Sequence, residues 1–177
     1  MKHYLCAAVA ALALTLLTAC GGGSDASAHN RADVTFVQEM IPHHRQAVAM
    51  SRLVASRDVG PGVTDLARRI EKAQGPEITS MTGWLRSWGE DAGSSSGHGS
   101  MDGMMSQADM TALDAAQGKT FARLYLTQMI EHHTGAVAMA RKEQADGENQ
   151  AAQDLAQDIE TSQTSEIKEM KQLLAGG

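Results

Sequence analysis

The sequence predicts an all-α domain, a four-helix bundle assembled from two copies of one helical hairpin. Three observations predict it. Two segments match without a gap at a constant offset of 89 residues, and such self-similarity marks a repeated structural unit. Apolar residues inside each copy recur every three or four positions, the helical period, rather than alternating. Each copy breaks once at a strong turn signal, so each holds two helices, and a lone hairpin has no way to bury its apolar face.

In chain order, residues 1–19 read as an export signal: a single basic Lys2 precedes an apolar run from Tyr4 to Leu17, too short to remain in a bilayer as a helix. Ala19-Cys20-Gly21 resembles a lipoprotein signal box, in which Cys20 is lipidated and becomes the new N-terminus; the alternative is an ordinary secretory peptide cleaved nearby. Lipidation places the protein outside the cytoplasm, anchored to the membrane by the lipid alone. Residues 20–30, rich in Gly, Ser and Ala, read as a flexible tether. With Cys6 discarded and Cys20 lipidated, no thiol is left for a disulfide, a nucleophile or a thiolate metal site.

Residues 31–88 form the first hairpin repeat. Val37, Met40, Ile41, His44, Ala47 and Val48 mark one face of its first helix, and Leu66, Ile70, Gln74, Glu77, Ile78, Met81 and Leu85 mark its second. Gly60-Pro61-Gly62 breaks the two apart. Pro42 and Pro76 fall inside the helices, where each is expected to kink the chain, although Pro42 is also compatible with a helix start. Residues 89–108, dominated as far as Ser106 by Gly, Ser, Met and Asp, read as a mobile connector. Ser106 with Asp109 signals a short helix before Gly118. The second repeat occupies residues 109–177 and turns at Asp146-Gly147-Glu148-Asn149; residues 31–177 together make one domain.

Removing the signal leaves 14 basic against 21 acidic side chains, a balance that argues against nucleic acid as a partner. Aromatic residues make up 3% of the chain while methionine occurs 11 times, and that imbalance points to thioether chemistry. On a helix advancing about 100° per residue, Met40, His43, His44, Ala47 and Met50 share an arc of roughly 120°. Met129, His132, His133, Ala136 and Met139 repeat the arrangement. Gln74, Glu77 and Met81, and likewise Gln163, Glu166 and Met170, lie on one stripe of the partner helices, so each hairpin is expected to present nitrogen, sulfur and carboxylate to its interior.

Thioethers bind reduced copper well and hard cations poorly, and imidazole suits copper in either oxidation state, so this donor set favours copper. His98, Met101, Met104 and Met105 in the connector are further candidates. Against this stands the plain role of methionine as gap-filling core and of a buried histidine as a hydrogen-bonded core residue. Adjacent residues on a helix point apart, so one histidine of each pair is expected to face the interior and the other the rim or a neighbouring helix. Glu77 and Glu166 either orient an imidazole through its second nitrogen or pair with surface cations. Trp84 and Trp88 are expected to close one end of the core.

The doubled pattern Met-Ile-x-His-His-x-x-Ala-Val-x-Met, followed by Ile-Glu-x-x-Gln-x-x-Glu-Ile-x-x-Met, resembles the bacterial family called domain of unknown function 305, over residues 33–174. The resemblance implies an exported, ferritin-like four-helix bundle associated with copper, with Met40, His43, His44, Met50, Gln74, Glu77 and Met81 and their seven counterparts as the family positions. A ferritin-like shape also invites a carboxylate-bridged di-metal oxidase, which needs Glu-x-x-His on two helices. That spacing is missing, since Glu39 precedes His43 by four and Glu131 adjoins His132. The expectation is a non-enzymatic copper-binding lipoprotein that sequesters or passes on the ion; the alternative is a structural or interaction bundle without metal.

Overall fold

A computed structural model describes residues 28–91 and 102–176. The signal segment, Cys20, most of the tether, His98 and Met101 lie outside the described residues. The elements are α1 (Arg31–Val54), α2 (Pro61–Trp88), α3 (Gln107–Ala115), α4 (Gly118–Asp146) and α5 (Gln150–Gly176).

Local chemistry explains where they begin and end. The Asn30 side chain accepts from the backbone N–H of Ala32 and Asp33, and Asp33 answers with its carboxylate on the Asn30 N–H, satisfying donors that a helix start leaves orphaned. Ser106 and Asp109 repeat the device for α3, as their spacing predicts. Gly60, at φ 82°, turns the chain into Pro61, whose missing N–H is no loss at a first helical position. Gly89, at φ 73°, ends α2 while the Glu90 N–H reaches the Leu85 carbonyl at 2.9 Å. Pro42 is not a helix start: α1 runs through it and α2 through Pro76. Each proline removes the hydrogen bond to the carbonyl four residues earlier, that of Gln38 and of Lys72.

Long-range hydrogen bonds set the topology. The Asn30 side chain donates to the Asp146 carbonyl at 2.8 Å, and the Asp33 carboxylate accepts from the Asn149 N–H at 2.9 Å, placing the start of α1 beside the end of α4. Gln38 donates to the Asp91 carbonyl at 2.8 Å, so α2 ends there too. At the opposite end Gly62 lies against Leu173. The four long helices therefore run up, down, down and up, the ferritin-like order with one long crossover. The crossover from α2 to α4 must travel the bundle's length, about 40 Å for helices of this size, and α3 is part of it, packed on α4 and α1.

That journey corrects two expectations. The described end of the connector, residues 102–106, is packed rather than mobile, with Met105 buried, because the crossover has to run along the α1/α4 face. The last tether residues are also fastened: the His29 ring stacks on Trp88 at 4.6 Å, and the Ala28 carbonyl accepts from Asn149 at 2.8 Å. Trp84 and Trp88, 6.2 Å apart and stacked, cap that end of the core as expected.

The core has two apolar parts. One, towards the start of α1, contains Phe36, Val37, Met40, Ile41, Met81, Leu85, Ala136 and Ile159. The other, towards its end, contains Met50, Leu66, Ile70, Leu113, Phe121, Tyr125, Met129 and Met170. Between them, at mid-height, every long helix contributes buried polar side chains: His43 and His44, Gln74, His132 and His133, and Gln163. A polar layer inside an apolar bundle costs stability unless its groups are satisfied.

Candidate metal centre

All four histidines of the two motifs are fully buried. His44 and His133 turn towards their own hairpins: His44 Nε2 meets the Glu77 carboxylate at 2.7 Å and His133 Nε2 meets that of Glu166 at 2.8 Å. The two readings left open for these glutamates are thus separated, since each meets an imidazole, and among the described residues neither makes an ion pair with Lys or Arg. Both carboxylates keep a solvent-facing side, at 21% and 17% side-chain exposure, so they bridge the layer to water. Where Nε2 donates to the carboxylate of a neutral ring, Nδ1 is left as the free lone pair.

His43 and His132 turn the other way and meet across the α1/α4 interface, ring centroids 3.7 Å apart and tilted by 39°. One histidine of each pair faces the interior, as predicted, but its neighbour reaches an adjacent helix and not a solvent rim. The pairing joins the two repeats across one interior. The reason is topological: α1 and α4 cross at this level, and a pseudo-twofold relation between the hairpins brings equivalent residues face to face.

The methionines follow the same rule. Met50, Met129 and Met170 belong to one apolar part, and Met40 and Met81 to the other with Met139 packed against it, so each side of the histidine layer draws thioethers from both repeats. Met139 is only half-buried where its twin Met50 is sealed, because Met139 lines a cavity of about 250 Å³ with Phe36, Glu39 and Glu143. Met105 joins the Met50 side. Met104 is half-buried and lies outside both apolar parts.

Among the described residues, six ring nitrogens of this layer, both of His43, both of His132 and the Nδ1 of His44 and His133, have no hydrogen-bond partner of good geometry, nor has either polar atom of the Gln74 amide; the Asp102 backbone lies near His43, and the His43 backbone near His132, without completing one. An unpaired buried polar group costs roughly 1–3 kcal/mol, so a purely structural histidine is expected to find a partner. Burial pushes His43 down to about 3, and the neighbouring His44 and His133 push the same way against a small opposing contribution from the Asp102 backbone. His132 is driven well below its ordinary value by burial and by the other three rings. Both imidazoles are therefore neutral at physiological pH with lone pairs available. Among the described residues no three His, Cys, Asp or Glu side chains form a group that could hold a metal ion.

Two features escaped the sequence reading. Asp33 and Glu143, both buried, lie together where α1 begins and α4 ends. Burial and the adjacent Asp33 push Glu143 up to about 8. Burial raises Asp33 as well, but the backbone N–H groups of Asn30, Asn149 and Glu148, with Glu143, outweigh it and hold its carboxyl below the usual range. Burial and the Asp33 carboxylate together favour the protonated form of Glu143. The two residues lie 110 positions apart, and nothing in the sequence pattern links them. The other feature is the seat of residues 102–106 on Gln46 and Gly135, one of three positions at which the two motifs differ.

The fold, the cap pattern and the doubled His-His motif place the chain in a known class of helical bundles. The family described as Domain of unknown function (DUF305) matches residues 33–174, and the chain belongs to it. Among solved structures it is similar to a putative secreted DUF305 protein from Streptomyces coelicolor, at 36% identity over 82% of this chain and 93% of that one, with a TM-score of 0.78. A DUF305 fragment from Deinococcus radiodurans matches at 31% identity over 84% and 98%, TM-score 0.77. CopM in its Cu(I)-bound form matches at 33% identity over 81% and 96%, TM-score 0.72, and CopM also appears in Cu(II)-bound, silver-bound and apo forms. No curated protein matches the chain.

Proposed function

We propose that this protein is an extracytoplasmic copper-binding protein, without catalytic activity, that sequesters or passes on the ion. The carrying observation is the set of six unpartnered ring nitrogens in a buried layer flanked by thioethers. His43 and His132 are the central donors. His44 and His133 are oriented by Glu77 and Glu166, and Met40, Met50, Met129 and Met139, with Met81 and Met170 behind them, supply sulfur. Thioether sulfur and an imidazole ligand carry no charge, and a buried monovalent ion among such soft ligands is less costly than a divalent one. The resemblance to CopM, crystallised with Cu(I), Cu(II) and silver, supports the same reading. His98 and Met101, with Met104, are proposed as capture residues.

Export and anchoring by a lipid on Cys20 complete the proposal. No described helix is long and apolar enough to cross a membrane, so the lipid would be the anchor. Titration of the mature protein with Cu(I) against a competing chelator tests the function. Changing His43, His44, His132 and His133 to Ala is expected to weaken binding by far more than tenfold, about 1.4 kcal/mol; a smaller loss overturns the reading. A bundle that does not bind metal would also show no copper-dependent rise in melting temperature.

A further inference from the structure

The buried imidazoles need an entrance, and the crossover marks one. Residues 102–106 lie across the α1/α4 face at the level of His43 and His132. Their hold on α1 is a double hydrogen bond: the Gln46 amide donates to the Met105 carbonyl at 2.8 Å and accepts from the Met105 N–H at 2.7 Å. Their hold on α4 is backbone against backbone. Gly103 sits at φ 80°, and a Cβ there would meet the Glu131 carbonyl at 2.8 Å and the His132 carbonyl at 3.0 Å; a Cβ at Gly135 would fall on the Asp102 carbonyl and come within 2.9 Å of the Gly103 Cα.

Gln46 and Gly135 occupy the same position of the two repeats, 89 residues apart. The motif thus departs from its own duplication where the strap touches it: one copy supplies an amide that grips a backbone, and the other supplies the absence of a side chain. Pro42 and Arg45 differ from Glu131 and Thr134 as well, but among the described residues no contact with the strap explains those changes.

We propose that residues 102–106 form a detachable cover over the His43/His132 layer, latched by Gln46 and by the Gly103–Gly135 contact, and that the ion enters and leaves beneath it. The proposal rests on the reading of the imidazoles as ligands. Both rings are sealed from solvent with the cover in place. Parting α1 from α4 instead would expose Phe36, Ile41, Leu126 and Met129, whereas lifting the cover breaks the two hydrogen bonds of Gln46, releases the Gly103–Gly135 contact and bares Met105 besides the two rings. Local openings follow the least costly route.

Histidine carbethoxylation by diethyl pyrocarbonate, mapped by mass spectrometry, reads access to the rings whether or not metal binds. In Gln46→Ala the loss of two hydrogen bonds is expected to raise modification of His43 and His132 on the order of tenfold, with faster amide exchange at Gly103 and Met105. Gly135→Ala is expected to do the same more strongly; if it fails to fold, Gln46→Ala decides alone. Released strap amides with ring modification within about twofold of the parent would overturn the cover, a difference smaller than one lost hydrogen bond. Unchanged strap amides in Gln46→Ala would overturn the latch.

Silver(I) exchange against a chelator separates the two readings. Uptake and release rates raised together at constant affinity support the cover. Binding with equal rates in parent and variants sinks the cover alone, and no binding by the parent sinks the metal reading and the ion path with it.

Discussion

The two ends of the bundle are built from the same duplicated helices yet are held in opposite ways. Near the end of α1, Ser51 and Tyr125 share a buried hydrogen bond of 3.0 Å; the same positions near its start are Ala140 and Phe36, both apolar. Conversely, the start of α1 buries the Asp33/Glu143 pair where the other end has Ala122 and Val54. Outer ion pairs stay symmetric, Arg52 with Glu71 at 2.8 Å and Arg141 with Glu160 at 2.7 Å, and so does the histidine layer. Duplication has preserved the histidine layer and the outer ion pairs while the ends took up different polar devices.

The sharpest way to break that comparison is to make the layer apolar. His43→Leu with His132→Leu removes four unpartnered ring nitrogens at similar volume and is expected to stabilise the metal-free protein by about 2–4 kcal/mol in urea unfolding, while abolishing copper-dependent stabilisation. A destabilised variant would mean that the layer supports the fold by contacts of its own. The same variant tests the acid response. Because His43 is held near 3 in the folded state against an ordinary value of 6.5, the unfolded chain binds the proton first. Stability is therefore lost as pH falls from about 6.5 towards 3, and the Leu variant should show a shallower loss.

At the Asp33/Glu143 end the sign reverses. Glu143 is raised from 4.5 to about 8, so its contribution is complete below 4.5 and is lost as pH rises through 8. Glu143→Gln is expected to flatten this alkaline slope in melting temperature against pH, and Asp33→Ala to cost about 1–3 kcal/mol by stripping backbone N–H groups of their acceptor. At the other end, Tyr125→Phe or Ser51→Ala alone should cost about 1 kcal/mol, because each leaves a buried hydroxyl unpaired. Together they should cost less than the sum, since the end then copies Phe36 and Ala140. The smallest effect belongs to the exposed ion pairs: Arg52→Ala and Arg141→Ala should each cost less than about 1 kcal/mol, and equally.

Helix identity, the hairpin turns and the Ser106 cap were legible because they depend on neighbours within a turn or two. Period and capping chemistry are local properties of the chain. The ligand-type residues were legible too, since the repeat singles out His43, His44 and their counterparts from an ordinary apolar stripe. Their partners were not. Whether His43 faces its own hairpin or His132 depends on which helix lies across from α1, and helical periodicity carries no information about that.

The amino-acid pattern alone set the number of long helices, the doubling of the motif and the thioether-rich chemistry it offers. The three-dimensional arrangement alone showed that the two copies pool their histidines in one layer, that a crossover strap lies across it, and that Glu143 is buried against Asp33. The physical reason is distance along the chain. Local forces act between residues three or four apart, while the layer, the cover and the carboxyl pair join residues tens of positions apart, which meet only once the order and direction of the helices are set.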